Sequence, residues 1–136
     1  MPIEDFVTYE QALALKKLGF KEECLYHYRY SIFSDNYYES ADGAYVSDLY
    51  KSHNSKSYEK NVICDAPTLA QAQKWLRKEK DYYIEPRLFY DKLHTDCKSS
   101  TRGKYWQIEH GKYYFSYEEA LSAGITECLK LLENEK

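Results

Sequence analysis

His94-x-x-Cys97, flanked by Asp91 and Asp96, is the closest approach to a metal site in this sequence. One imidazole and one thiolate are half of a tetrahedral zinc set, and no second pair stands at a spacing that would complete it. The group is expected in a solvated loop, with no metal. Cys24 and His27 supply the types for a thiolate–imidazole couple. Three apart on a strand, however, they point to opposite faces. "STRGK", from Ser100, has one glycine where a phosphate loop needs two, and neither Ser nor Thr follows its Lys. It is expected at a hairpin tip. Glu22–Glu23 falls between a helix and a strand. Glu118–Glu119 sits in a helix first turn, where the helix dipole favours acids. No catalytic residue and no cofactor follow from these groups, and the chain is not read as an enzyme.

The elements that must position any site are well punctuated. Thr8 and Gln11 have capping-box spacing before the apolar side of Ala12, Leu13, Leu15 and Leu18, and Gly19 can take the left-handed position that ends the helix. Thr68 with Gln71 opens a second helix after Pro67, with Leu69, Ala72, Trp75 and Leu76 as its stripe. Ser116 with Glu119 opens a third, striped by Tyr117, Leu121, Gly124, Ile125, Cys128 and Leu132. Gly124 costs about 1 kcal/mol relative to Ala inside a helix, so a close approach of a neighbouring backbone is expected there. The shared Tyr–Glu–x–Ala–Leu opening of helices one and three is what cap chemistry selects, and is not read as a duplication.

Strict alternation marks the strands. Cys24, Tyr26, Tyr28, Tyr30 and Ile32 form the core side of one, with His27 and Arg29 on the other side. Val62–Cys64 is a short apolar piece. Tyr82, Ile84, Pro86, Leu88 and Tyr90 alternate with Tyr83, Glu85, Arg87 and Phe89, and Pro86 puts that strand at an edge. Trp106 and Ile108 alternate with Tyr105, Gln107 and Glu109. Residues 34–60 read as a long surface connection with a short ordered piece near Tyr45–Tyr50, and 91–103 as a turn-rich one.

At 136 residues, 43% hydrophobic and 30% charged, the chain is expected to form one α+β domain over 1–136. It has no apolar run near the ~20 residues of a membrane helix, and "MPIEDFV" lacks a secretory pattern, so a cytoplasmic location is expected. A net charge of −3 is a poor footprint for duplex binding. Cys24, Cys64, Cys97 and Cys128, separated by 40, 33 and 31 residues, are read as free structural thiols. The 16 tyrosines suit core edges and binding surfaces.

The expected architecture is a single antiparallel sheet of three or four strands with all three helices on one face. Strand 104–110 would lie centrally, between 82–90 and 24–33. The open face would carry His27, Arg29, Tyr83, Arg87, Phe89, Tyr105 and Gln107, with Glu85 and Glu109 among them. Arginine among tyrosines is typical of protein recognition. The leading expectation is therefore a non-enzymatic interaction or accessory module, in a self-associating form or with another protein. The alternative is single-stranded nucleic-acid binding by stacking on Tyr83, Phe89 and Tyr105, against which stand the net charge, Glu85 and Glu109. A small hydrolase or metalloenzyme ranks third.

Three stretches, "CLYHY", "APTLAQAQKWLRKEKDYYI" and "SYEEALSAGITECLKLL", resemble a group of small proteins of gut Bacteroidetes and their phages or mobile elements. The resemblance covers about half the chain and excludes 34–60 and 91–103. It implies a family and a mobile-element context. No activity is established for that group, so it implies no site residues.

Overall fold

The computed structural model describes residues 3–29, 37–39, 45–47, 50–51, 62–102, 104–108 and 113–135, without the side chains of Ile3, 30–62, Phe89 and 103–112. The fold is α+β, and the chain divides into two compact units, Thr8–Pro67 and Met1–Val7 with Thr68–Lys136.

In the Thr8–Pro67 unit, α1 (Tyr9–Lys17) starts where the sequence places it. Thr8 Oγ1 accepts from Gln11 N at 3.2 Å, and Gln11 Oε1 accepts from Thr8 N at 2.8 Å. Gly19 takes φ 101°, which lets Phe20 N turn back to Leu15 O at 3.0 Å. The strands are β1 (Tyr26–Arg29), β2 (Tyr37–Glu39), β3 (Tyr45–Ser47), β4 (Tyr50–Lys51) and β5 (Val62–Ala66). β1 lies between β4 and β5, antiparallel to both, while β2 pairs with β3. Ala12, Leu15, Phe20, Tyr28, Ile63 and Cys64 are buried, and Tyr28 meets Tyr9 edge to face at 5.6 Å. The described residues of 34–60 thus form three strands of two or three residues, too short to show a period of two.

The larger unit holds α2 (Leu69–Lys80), β6 (Tyr83–Phe89), β7 (Lys92–Ser99), β8 (Lys104–Ile108) and α3 (Tyr117–Glu133). The sheet order is β6-β7-β8, an antiparallel meander with α3 packed on β6 and β7. Two expectations are corrected here. There is no single sheet: β1 pairs with β4 and β5, and β8 pairs with β7. The central strand is β7, which lies in the stretch read as a connection; β8 is an edge. Pro86 is on edge strand β6, as its missing N–H requires.

α3 sits close to the sheet at Gly124. A Cβ there would meet Ile84 Cγ2 and Thr95 Cγ2, each at 2.5 Å. The close approach is to two strand side chains, not to backbone. Thr95 Oγ1, fully buried, donates to Ala120 O at 2.7 Å and ties the same turn of α3 to β7.

Ser100, Thr101 and Arg102 of the "STRGK" stretch follow β7 on the way to β8, and they join the ends of α2 and α3. Asp81 caps α2 in the left-handed region at φ 57°. Its carboxylate accepts from Thr101 N at 2.7 Å, Thr101 Oγ1 at 2.8 Å, Ser100 Oγ at 2.9 Å and Ser99 Oγ at 3.1 Å. Arg102 donates to Lys80 O at 2.9 Å, pairs with Glu135 and lies 4.2 Å over the Tyr82 ring. The hydrogen bonds, led by those from Thr101, pull the Asp81 carboxyl down to about 2. A depressed carboxyl stabilises the fold above its unfolded pKa, and that contribution is lost as pH falls through the folded value. Asp81→Asn should therefore lose the part of the acid-unfolding curve between pH about 4 and about 2. Circular dichroism against pH measures this directly.

Candidate functional site

The structure sets Tyr83 and Arg87 of the expected face on one sheet and His27 and Arg29 on another. Tyr83, Glu85 and Arg87 lie on the side of β6 opposite buried Ile84, with His94, Asp96 and Lys98 of β7 on the same side. Phe89, Tyr105 and Gln107 stand at register positions opposite Lys92, Lys98 and Asp96, and their side chains lie outside the described residues, as does Glu109. His27 and Arg29 belong to β1, on the other sheet. His27 is 3% exposed, not open: β1 is an inner strand, and its successive residues His27 and Tyr28, which point to opposite faces, are both buried.

The β6–β7 face is a charge lattice. Glu85 and Asp96 are directly opposite, an unfavourable like-charge pair taken alone. Each acid has a cation on the diagonal: Arg87 meets Asp96 at 2.9 Å and Lys98 meets Glu85 at 3.4 Å. Asp96 is buried, so its pairing with Arg87 offsets a desolvation that an open pair would not face.

The exposed aromatic surface lies elsewhere. Of the large apolar side chains exposed among the described residues, Leu25 is in the smaller unit; Tyr83, Leu88, Tyr90, Tyr113, Phe115 and Tyr117 are in the larger. Leu88 and Tyr90 are at the end of the β6–β7 hairpin. Tyr113, Phe115 and Tyr117 lead into α3, and a bridge between Leu93 and Tyr114 sets that lead-in beside the hairpin. Lys92 Nζ lies 4.2 Å over the Tyr113 ring, and His94 meets the same ring edge-on at 6.3 Å.

Two of these side chains stand where local structure does not want them. Tyr90 has φ 61°, a region in a two-residue hairpin turn that favours Gly or Asn, and its side chain is 90% exposed. Phe115 precedes the Ser116 cap, the position from which an apolar residue normally folds onto the helix's fourth residue, here Ala120. It is instead 95% exposed. Period-two reasoning missed both: it ran the β6 alternation through to Tyr90, which lies past the end of the strand in the turn, and Phe115 is in no alternating segment; the signals available were a Tyr–Asp turn without glycine and an aromatic run ahead of a cap.

The remaining chemistry-bearing groups are dispersed. His94 and Cys97 lie on opposite faces of β7, Cys97 toward the helix. Among the described residues no cluster of three or more His, Cys, Asp or Glu could hold a metal, and no helix is long and apolar enough to cross a membrane. A groove of about 440 Å3 between α1 and β5 is lined by Ala12, Lys16, Phe20, Lys21, Ile63, Cys64 and Asp65. Lys16 Nζ donates to Ile63 O at 2.6 Å in it. Burial pushes the Cys64 thiol up to about 11, which keeps it protonated and a poor nucleophile at neutral pH. All four cysteines are buried free thiols. Comparison of the chain with protein-family models, with curated proteins and with solved structures finds no match.

Proposed function

We propose that this chain is a non-enzymatic interaction module that associates with a second copy of itself through the aromatic end of the β6–β7 hairpin and the lead-in to α3. The observation that carries the reading is the exposure of Tyr90 and Phe115 at positions where local structure favours another residue or another placement. Backbone strain retained at an exposed aromatic implies that the side chain is wanted for contact. Aromatic anchors of this kind dominate interface energies. The set also carries both charges: Lys92 on the hairpin side and Glu118 and Glu119 on the first turn of α3. A two-fold rotation can set acid against base and repeat the same patch on both copies.

Nucleic-acid stacking on the sheet face fits less well, because Arg87 and Lys98 already face acids there.

Tyr90→Gly tests the reading through opposed effects. It should raise the stability of the monomer by about 0.5–1 kcal/mol by relieving the positive φ, and it should weaken association. Urea denaturation and gel filtration read the two separately. A variant that is less stable, or that associates as the wild type does, contradicts the assignment.

A further inference from the structure

We propose that Cys97 and Cys128 form a concealed two-electron redox site, closed to a disulfide by a small hydroperoxide, that locks α3 onto the central strand β7. The placement follows from the closest contact between helix and sheet. Gly124 approaches Thr95 so nearly that a Cβ would stand 2.5 Å from its methyl. Cys128 lies one helical turn beyond Gly124, and Cys97 lies two residues beyond Thr95 on the same strand face. Both thiols are fully buried, with none of their surface exposed to solvent. Neither disulfide nor metal chemistry engages them among the described residues.

The two sulfurs are unequal. The Cys128 thiol donates to the Cys97 sulfur, which holds Cys97 below the usual thiol range against the opposing effect of burial, and the Arg102 charge acts in the same direction. The same hydrogen bond, with burial, holds Cys128 above that range. Cys97 is thus the attacking sulfur and Cys128 the resolving one. The Cys97 sulfur attacks one peroxide oxygen and the O–O bond breaks. This leaves a sulfenic acid on Cys97 and one water, which takes up the thiol proton. The Cys128 sulfur then attacks Cys97 Sγ; the S–S bond forms, the S–O bond breaks, and the departing hydroxide leaves with the Cys128 proton as the second water. Two thiols are oxidised and one hydrogen peroxide is reduced to two waters. A small oxidant suits a buried pair because no bulky mixed disulfide has to fit in the core.

The test is a disulfide map of the intact folded chain treated with hydrogen peroxide, then alkylated under denaturing conditions and digested with trypsin without reduction. The expected product joins peptide 93–98 to peptide 113–130 and lacks two hydrogens. Its unfolding midpoint should rise by about 5–10 °C, and dithiothreitol should reverse both changes. In Cys128→Ser the sulfenic acid on Cys97 should persist and be captured by dimedone. Recovery of both peptides alkylated from peroxide-treated wild type, or linkage of either cysteine to Cys24 or Cys64, overturns the proposal. The wild-type map decides this whether or not the serine variant folds.

Discussion

Gly124→Val should lower the stability of the chain by about 3 kcal/mol or more, and Gly124→Ala by about 1–2 kcal/mol. The sign for alanine is the informative one. Helix propensity alone favours Ala over Gly by about 1 kcal/mol, so a loss means that packing outweighs propensity. The neighbours leave little room to yield. Ile84 Cγ2 and Thr95 Cγ2 each stand 2.5 Å from the position of an added Cβ. Both are branches at a Cβ, stiff about χ1. The Thr95 rotamer is further fixed by its hydroxyl, which donates to Ala120 O at 2.7 Å. Urea denaturation of the two variants against the wild type measures the effect; an alanine variant more stable than the wild type contradicts it.

Tyr82→Ala should cost about 3–5 kcal/mol, the range for removing a large buried aromatic. The ring is 1% exposed. Its hydroxyl donates to Glu135 at 2.8 Å, and the Arg102 guanidinium lies 4.2 Å over its face. Truncation therefore opens a cavity and loosens the join between the β7–β8 hairpin and the end of α3. Tyr82→Phe keeps the ring and the cation contact and removes one hydrogen bond, for about 1 kcal/mol. Denaturation of both variants separates ring from hydroxyl. Equal losses would mean that the Glu135 bond, and not the packing, holds this corner.

The helices were legible because their signals are local. Thr8, Thr68 and Ser116 each accept from the backbone N–H three residues on, as the spacing of their letters says. The phase of the first half of β6 was legible too, with Tyr82 and Ile84 buried and Tyr83 exposed, but it fails toward the hairpin end, where Leu88 and Tyr90 of the buried phase are exposed. β7 was not, because its burial does not alternate: Thr95, Asp96 and Cys97 are all buried. On the Cys97 side, Thr95 and Ser99 are polar letters that read as a turn. They tolerate burial because Thr95 bonds α3 and Ser99 bonds Asp81. His27 failed for a different reason. Alternation tells which residues share a side, but it cannot tell that both sides of β1 are buried, as His27 and Tyr28 are. The candidate surface was missed where it departs from regular structure, at Tyr90 and Phe115.

Multi-angle light scattering across a concentration series, on the wild type and on Phe115→Glu, tests the central claim most directly. The mass should rise to twice the chain mass of 16.2 kDa for the wild type and stay at one chain for the variant. Circular dichroism and the unfolding midpoint of the variant should be unchanged, since Phe115 contributes almost nothing to the core. A wild type that remains at one chain mass at every concentration, or a Phe115→Glu variant that doubles its mass as readily, would contradict it.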